Sequence, residues 1–292
     1  MRPEEKASTK RPDKFKRWMI ASLFLIPLAL FVTPLGYHYF YRPVKMKVLI
    51  QLLRYGGINR WASKMLFNQG EEAVPHLIHS LSDKNAYVRA GSVRLLISLG
   101  PRKGVDYEAL LPHLKRLASD PEDLVRHNAL WALGEIRSEE AVGLLIKCLS
   151  DPDRLFRINA AHTLGRTGSK VAVVPLIQAL YERDVSLRTV AAEALGKIGS
   201  SKAVAPLIAT LKEEAPPQAR PIQWTRFRRA VIEALESITG RSLGNFRRAT
   251  TDDERQEIIQ QWLEWWKENK EEYEQPERDA PKPLGSKTVR QF

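Results

Sequence analysis

Apolar positions recur at helical spacing from about residue 70 onward, in a unit that repeats along the chain. Four aligned units and a longer fifth one cover residues 74–100, 111–136, 142–168, 174–199 and 205–240. Apolar residues at i, i+3, i+4 and i+7 within each unit predict two amphipathic helices joined by a turn. A single hairpin of this kind would leave an apolar face in water, whereas stacked hairpins bury it. We therefore predict a stack of about five hairpins, capped at both ends.

Prolines and glycines mark the helix ends of the unit. The first helix opens with proline in four of the five units, where the missing N–H costs nothing. The second helix of the third unit is predicted to run from about Leu155 to Leu164 and to end at Gly165, a helix breaker. Gly134 and Gly196 lie 31 residues to either side of Gly165. The same ending is therefore predicted for the neighbouring units.

An acidic residue precedes an arginine by six positions in the first four units. The pairs are Asp83 and Arg89, Asp120 and Arg126, Asp151 and Arg157, and Glu182 and Arg188. The pattern resembles the HEAT-repeat family, specifically the short bacterial HEAT-like repeats of the phycobilisome-lyase type. The resemblance implies an all-α, right-handed α-solenoid in which each acidic residue accepts a hydrogen bond from an arginine across the turn, linking neighbouring repeats. The fifth unit departs from it, because Ile222 lies six positions before Arg228.

Segments on either side of the repeats are predicted to cap or anchor them. We predict a basic N-terminal segment at 1–17, a transmembrane signal anchor at 18–41 and a capping helical pair at 44–70. The HEAT-like repeats follow at 71–240, then a Trp-rich capping helix at 241–275 and a disordered tail at 276–292. The capping helix should begin with a capping box of Thr251 and Glu254. Its apolar stripe is predicted to consist of Ile258, Ile259, Trp262, Leu263 and Trp266.

The stretch from Met19 to Tyr41 contains no charged residue and is long enough for a helix to cross a bilayer. We predict a single-pass signal anchor at 18–41, so that one transmembrane helix precedes the solenoid. A cleaved signal peptide and a buried core helix are the alternatives. Seven basic residues precede the stretch and five follow within about twenty residues, so the positive-inside rule places the repeat domain outside the cytoplasm.

The net charge of +12 raises nucleic acid or anionic lipid as a partner. Ten of these charges fall in residues 1–70, and the repeats themselves are close to neutral. A nucleic-acid-binding array would carry its basic charge along its own binding face, so we expect no nucleic-acid partner. A domain lying against anionic lipid through the basic flank 42–64 stays open.

Side chains that support catalysis or bind metals are sparse. Cys148 is the only cysteine and lies in an apolar run, so we interpret it as a packing residue. The six histidines include neither an HExxH motif nor a His-Glu dipeptide, and His-Glu pairs hold two irons in some HEAT-like enzymes that this chain resembles in fold. We expect no catalytic residue, metal or cofactor. A lyase or protein-modification accessory factor of the phycobilisome-lyase type is the alternative.

One column of the aligned second helices varies in chemistry while the columns beside it stay apolar. The variable positions are Arg94, Trp131, His162 and Glu193, with His127 one turn before the column and Arg166 and Lys197 one turn after it. Residues at i, i+4 and i+8 share one helix face, so these seven are predicted to form a protein-binding stripe. The resemblance to HEAT solenoids implies that this face is the concave one. The alternative is a solvated face without a partner.

Trp131 favours the binding interpretation, because tryptophan and arginine are enriched at interface hot spots. The alternative is that Trp131 packs on its own neighbours. We expect Trp131→Ala to leave the melting temperature nearly unchanged and to weaken capture of a partner. The function predicted from the sequence is a membrane-anchored HEAT-repeat scaffold that binds another protein without catalysing a reaction.

Overall fold

A computed structural model describes residues 42–55 and 59–274, and every regular element in these ranges is helical. The described residues belong to two compact units, the first ending at Leu99 and the second beginning at Gly100. The predicted basic segment 1–17 and the predicted tail 276–292 lie outside the described residues.

The first unit contains two helical pairs. Helices α1 to α4 span Arg42–Leu52, Asn59–Gln69, Val74–Ser80 and Ala86–Leu99. Helix α1 packs against the other three helices and α2 packs against α4, so one apolar core joins the two pairs. The buried hydroxyls of Ser80 and Ser92 lie 2.7 Å apart and join α3 to α4. Gln51 on α1 donates to the Asp83 carboxylate at 2.8 Å, so the first pair also holds the turn of the second.

The second unit contains four hairpins and a closing helix. Helices α5 to α13 span Tyr107–Leu117, Asp123–Ile136, Glu139–Lys147, Arg154–Thr167, Val173–Ala179, Val185–Ile198, Val204–Leu211, Pro221–Thr239 and Asp252–Glu274. The first helices of the hairpins are α5, α7, α9 and α11, and the second helices are α6, α8, α10 and α12. Each second helix packs against its own first helix and against the second helix of the next hairpin. This in-order stacking is what the apolar periodicity predicted.

Short polar side chains begin several of these helices. The carboxylates of Asp106, Asp153 and Asp184 accept hydrogen bonds from backbone N–H groups in the first turns of α5, α8 and α10. Each such cap satisfies a donor that lacks a partner within its helix and is worth about 1 kcal/mol. Glycines in the left-handed conformation follow the ends of α8, α10 and α12, at Gly168, Gly199 and Gly240.

The prediction that Gly165 ends its helix is wrong. Gly134, Gly165 and Gly196 lie inside α6, α8 and α10, where they are buried. A β-carbon added at Gly165 would lie 2.7 Å from Cα of Ala194, and one at Gly196 would lie 2.8 Å from Cα of Ala234. The glycines therefore let the backbones of successive second helices approach closely, which explains why they recur in three successive units.

The closing helix α13 begins with the capping box that the sequence predicts. The backbone N–H of Glu254 donates to the Thr251 hydroxyl at 3.2 Å, and the N–H of Thr251 donates to the Glu254 carboxylate at 3.3 Å. These reciprocal bonds satisfy two donors at the helix start. The box fixes the point at which the chain turns into α13, which packs against α11.

The buried face of α13 shares three of its residues with the predicted stripe and differs at three positions. Ile258, Ile259 and Trp262 are buried as predicted, and Trp265 is buried with them. Leu263 and Trp266, which the sequence also placed on the stripe, are only half-buried. Positions 258, 262 and 265 follow the i, i+4, i+7 spacing of a single helix face.

No helix in the described ranges is long and apolar enough to cross a bilayer. This finding contradicts the predicted single-pass membrane localisation with an extracytoplasmic repeat domain. The two longest described helices, α12 and α13, reach the length of a membrane span but carry many charged side chains. The segment 18–41, on which the signal-anchor prediction rested, lies outside the described residues.

Candidate functional site: the polar row of the second helices

The arginine at the start of a second helix binds the main chain of its own turn. Nη1 of Arg89, Arg126 and Arg157 donates to the carbonyl oxygen six residues earlier, at 2.8, 3.0 and 2.7 Å. The same atoms donate to the carbonyl oxygen five residues earlier, at 3.1, 3.2 and 3.0 Å. These bonds run to main-chain oxygens, where the resemblance had implied a bond to the acidic side chain.

The acidic side chains of these three pairs shape the turn itself. One carboxylate oxygen of Asp83, Asp120 and Asp151 accepts from the backbone N–H two residues later, at 2.8, 3.0 and 2.8 Å. This Asx turn fixes the loop whose carbonyl groups the arginine then binds. The paired residues therefore cooperate in closing one hairpin.

Ion pairs between successive hairpins use a different set of carboxylates. Arg126 donates to Asp153 Oδ2 at 3.1 Å, and Arg154 Nε lies 2.6 Å from Asp184 Oδ2. Both acceptors are the N-cap residues of the next second helix. Burial raises the pKa of the Asp184 carboxyl, but hydrogen bonds from Arg154 and from the Ser186 N–H outweigh it and hold that pKa below its usual range.

Arg188 departs from the other turn arginines. Its guanidinium is buried, donates to Glu213 Oε2 at 2.5 Å, and lies over the rings of Phe227 and Trp224, with Cζ 4.4 and 5.0 Å from their centroids. It therefore joins the fourth hairpin to the fifth. Arg228 donates to the carbonyl oxygen of Glu213 at 3.2 Å, so the main-chain oxygen of Glu213 serves the fifth turn as that of the acidic residue serves the earlier ones.

The six-residue spacing does not identify Glu213, because Ile222 lies six positions before Arg228. The 31-residue period of the acidic residues does identify it, since Glu213 lies 31 positions after Glu182 and Glu182 lies 31 after Asp151. The extra residues of the fifth unit lie between the acidic residue and the arginine. They lengthen the turn without changing its acceptor.

Polar side chains form a row across the second helices of the second unit. We define the polar row as Trp131, His162 and Glu193, together with Glu135, Arg166 and Lys197 one turn later. His162, Glu193 and Lys197 are exposed, and the other three are half-buried. The neighbouring column of Ala129, Ala160 and Ala191 is fully buried. The row is therefore the strip of the second helices that faces solvent.

Charges in the polar row interact from one helix to the next. Arg166 forms an ion pair with Glu135 of the preceding second helix. Partial burial of the ring lowers the pKa of His162, and the charges of Lys197 and Arg166 lower it further, against the opposing effect of Glu193. Because the usual histidine pKa is about 6.5, His162 is neutral at pH 7. It then offers one donor and one acceptor to a partner.

Two residues predicted for the stripe are not counted in the polar row. Arg94 belongs to the first unit, where it is exposed on α4. His127 is half-buried, with Nδ1 2.7 Å from the carbonyl oxygen of Asp123 and its ring edge-on to Phe156 at 5.9 Å. His127 is therefore largely engaged within the fold.

Few of the described side chains are suited to nucleophilic catalysis or metal binding. Burial, and then the charge of Asp151, raise the pKa of the Cys148 thiol to about 11. Its Sγ donates to the Leu144 carbonyl at 3.2 Å. A thiol that stays protonated is a poor nucleophile. Within residues 42–55 and 59–274, no three or more His, Cys, Asp or Glu side chains are grouped so as to hold a metal ion.

Two overlapping stretches, residues 110–190 and 144–223, match the family model of HEAT repeats. These stretches contain every residue of the polar row. The second unit is thus built on a HEAT-repeat helical fold. No curated protein matches the chain in sequence.

A solved structure with a TM-score above 0.5 agrees with this fold, and two others with lower scores also match the chain. A chain in the structure of Kap95p bound to RanGDP is 14% identical, with a TM-score of 0.53, covering 88% of this chain and 40% of that chain. A HEAT-like repeats protein from the archaeon Thermococcus onnurineus NA1 is 14% identical, with a TM-score of 0.45, covering 75% and 95%. The phycocyanin lyase complex of CpcE and CpcF from Nostoc sp. PCC7120 gives 21% identity, a TM-score of 0.34, and coverage of 90% and 99%. At 14% identity the likeness to the first of these concerns the fold alone.

Proposed function

We propose that this chain is a non-enzymatic HEAT-repeat scaffold that binds a protein partner through the polar row. The observation that carries the proposal is that His162, Glu193 and Lys197 stay exposed in register while the adjoining columns are buried. Stacked repeats create extended surfaces of this kind, which are suited to binding a protein chain. Arg94 on the first unit and His127 at the edge of the row are further proposed contacts.

The composition of the polar row favours a protein over other classes of partner. Charges of both signs alternate along it, from Glu135 and Arg166 to Glu193 and Lys197. A phosphate backbone would meet repulsion at each of the two glutamates. Trp131 adds the kind of aromatic side chain that anchors protein interfaces, and its half-buried position means that substituting it also changes packing.

The exposed pair Glu193 and Lys197 provides the sharpest test. A variant that exchanges the two charges, Glu193→Lys with Lys197→Glu, keeps the net charge and changes only exposed side chains. The matched control exchanges Glu264 and Lys267, which are exposed on α13. Tagged wild-type and variant chains are used to capture proteins from the cells that make this chain. We expect a partner that wild type and control recover equally and that the row variant recovers about tenfold less.

Equal recovery of every captured protein by the row variant and by the control would contradict the proposal. Circular dichroism and thermal unfolding of both variants establish that the fold is unchanged. A difference in capture then reports on the surface and not on stability.

A further inference from the structure

An open cleft of about 730 Å³ lies where the turns of the third to fifth hairpins meet. Its walls include three guanidinium groups, one carboxylate and two carboxamides, which belong to Arg154, Arg157, Arg183, Asp184, Gln218 and Gln223. Gln218 comes from the insertion of the fifth unit, so the feature that breaks the repeat pattern also builds one wall. The cleft is outside the polar row.

The excess of positive charge in this cleft arises from one exchange between repeats. Between the second and third hairpins, Arg126 has two carboxylate partners, Asp123 at 2.5 Å and Asp153 at 3.1 Å. The residue 31 positions after Asp123 is an arginine, Arg154. The contact between the third and fourth hairpins therefore has one carboxylate fewer and one guanidinium more than the contact before it.

Arg154 takes the carboxylate that remains. It lies 2.6 Å from Asp184 and also donates to the Ser186 hydroxyl at 2.8 Å. Arg157, the counterpart of Arg126, is left with the two turn carbonyls that its Nη1 binds. Its remaining N–H groups have no carboxylate partner within the described residues.

Arg183 adds a second unneutralised guanidinium. It is exposed, and within the described part of the chain it has neither a hydrogen-bond nor an ion-pair partner. Two arginines with spare donors thus face one cleft whose single carboxylate is already paired. Guanidinium groups bind carboxylates through paired, charge-assisted hydrogen bonds, so the ligand class that fits is an anion.

The size and surroundings of the cleft indicate a peptide chain as the occupant. A single free anion would fill only a small part of 730 Å³. A second hollow of about 290 Å³ shares Val185, Ser186 and Gln223 with the cleft and extends to Glu193 of the polar row. An extended chain can therefore continue from the row into the cleft. Leu155 and Ile222, next to lining residues in sequence, are 59% and 69% exposed and offer apolar contacts.

We propose that this cleft binds an acidic segment of a protein partner, whose carboxylates pair with Arg157 and Arg183. The inference rests on the proposed function only in that the occupant is a protein chain. The connected hollow is lined by both Glu193 and Arg226, so it offers no excess of positive charge along which a polyanion such as a nucleic acid could continue.

The test uses fluorescence anisotropy with a labelled short peptide of glutamate and leucine, and with the same peptide carrying glutamine in place of glutamate. Wild type is expected to bind the acidic peptide and to bind the glutamine peptide much more weakly. Arg183→Glu should weaken binding of the acidic peptide by about tenfold. Arg102→Glu, the same charge change at an exposed site of the second unit away from the cleft, should leave it unchanged.

Three results would overturn the inference. They are equal affinity for the two peptides, an equal loss in Arg102→Glu and Arg183→Glu, and displacement of the peptide by inorganic phosphate or a single-stranded oligonucleotide at lower concentration than by unlabelled peptide. The charge exchange at Glu193 and Lys197 is measured separately. If the cleft does not bind the acidic peptide selectively but the charge exchange still abolishes capture, the proposed scaffold function is retained. If the acidic peptide binds but the charge exchange leaves capture unaffected, the proposed role of the polar row is wrong and that of the cleft is retained.

Discussion

His162 lies in the polar row among two cations and one carboxylate. Partial burial of its ring and the charges of Lys197 and Arg166 disfavour the imidazolium, so its pKa lies below the usual value of about 6.5. The unfolded chain then takes up the proton more readily than the folded one. As the pH falls through about 6.5, the folded state therefore loses stability at this site.

The charge of Lys197 can be tested by its effect on this histidine. Lys197→Ala removes a positive charge, so the imidazolium becomes easier to form and the pKa of His162 should rise. An NMR titration of the ring proton signals measures the change directly. Lys170→Ala, an exposed lysine that does not act on His162, should leave the pKa where it is. A pKa of His162 that falls, or does not move, in Lys197→Ala would contradict the geometry of the row.

Arg188 combines an ion pair with stacking on two rings. Arg188→Lys keeps the positive charge but removes the planar group that lies over Phe227 and Trp224 and reaches Glu213. We expect the free energy of unfolding to fall by about 1–2 kcal/mol in chemical denaturation. Arg183→Lys, at an exposed arginine, should stay within about 0.5 kcal/mol of wild type. Equal stability of the two variants would show that the buried guanidinium contributes nothing.

The packing of the second unit depends on how closely successive second helices approach each other. A methyl group at Gly165 would meet Cα and Cβ of Ala194 at 2.7 and 2.8 Å, and the backbone of α10 cannot easily move away. We expect Gly165→Ala to lower the free energy of unfolding by about 1–3 kcal/mol in chemical denaturation.

Gly143 gives the matched control for this substitution. It lies inside α7 with nothing within 4 Å of an added β-carbon. Since glycine is a poor helix former, Gly143→Ala should raise the free energy of unfolding by about 0.5–1 kcal/mol. Opposite signs for the two changes are the prediction. The same sign for both would mean that the close helix crossing does not limit stability.

The hairpins could be predicted from the sequence because the apolar period and the 31-residue spacing are local patterns. The role of Gly165 could not, since a glycine near a helix end looks the same whether it caps the helix or allows a close crossing. The cap is Gly168, three residues later. The exposure of His162, Glu193 and Lys197 was also predictable from alignment, whereas the contact of His127 with Phe156 depends on packing between different hairpins.

At the scale of the whole second unit, the charges divide into two sets. The turn arginines and N-cap carboxylates are used in closing hairpins and joining them, as in the pairing of Arg126 with Asp153. The side chains of the polar row take little part in this network, apart from the ion pair of Arg166 with Glu135. The exposed side chains of the row, His162, Glu193 and Lys197, are the ones that the proposed function assigns to a partner.

The most direct test of the central claim is site-specific photo-crosslinking in the cells that make this chain. A photoreactive residue replaces either His162, exposed in the polar row, or Gln178, exposed on the first helix α9. The account predicts that position 162 is crosslinked to one defined protein and that position 178 is not. Crosslinking of the same protein from position 178 alone, or from neither position, would contradict the claim that the second helices carry the binding surface.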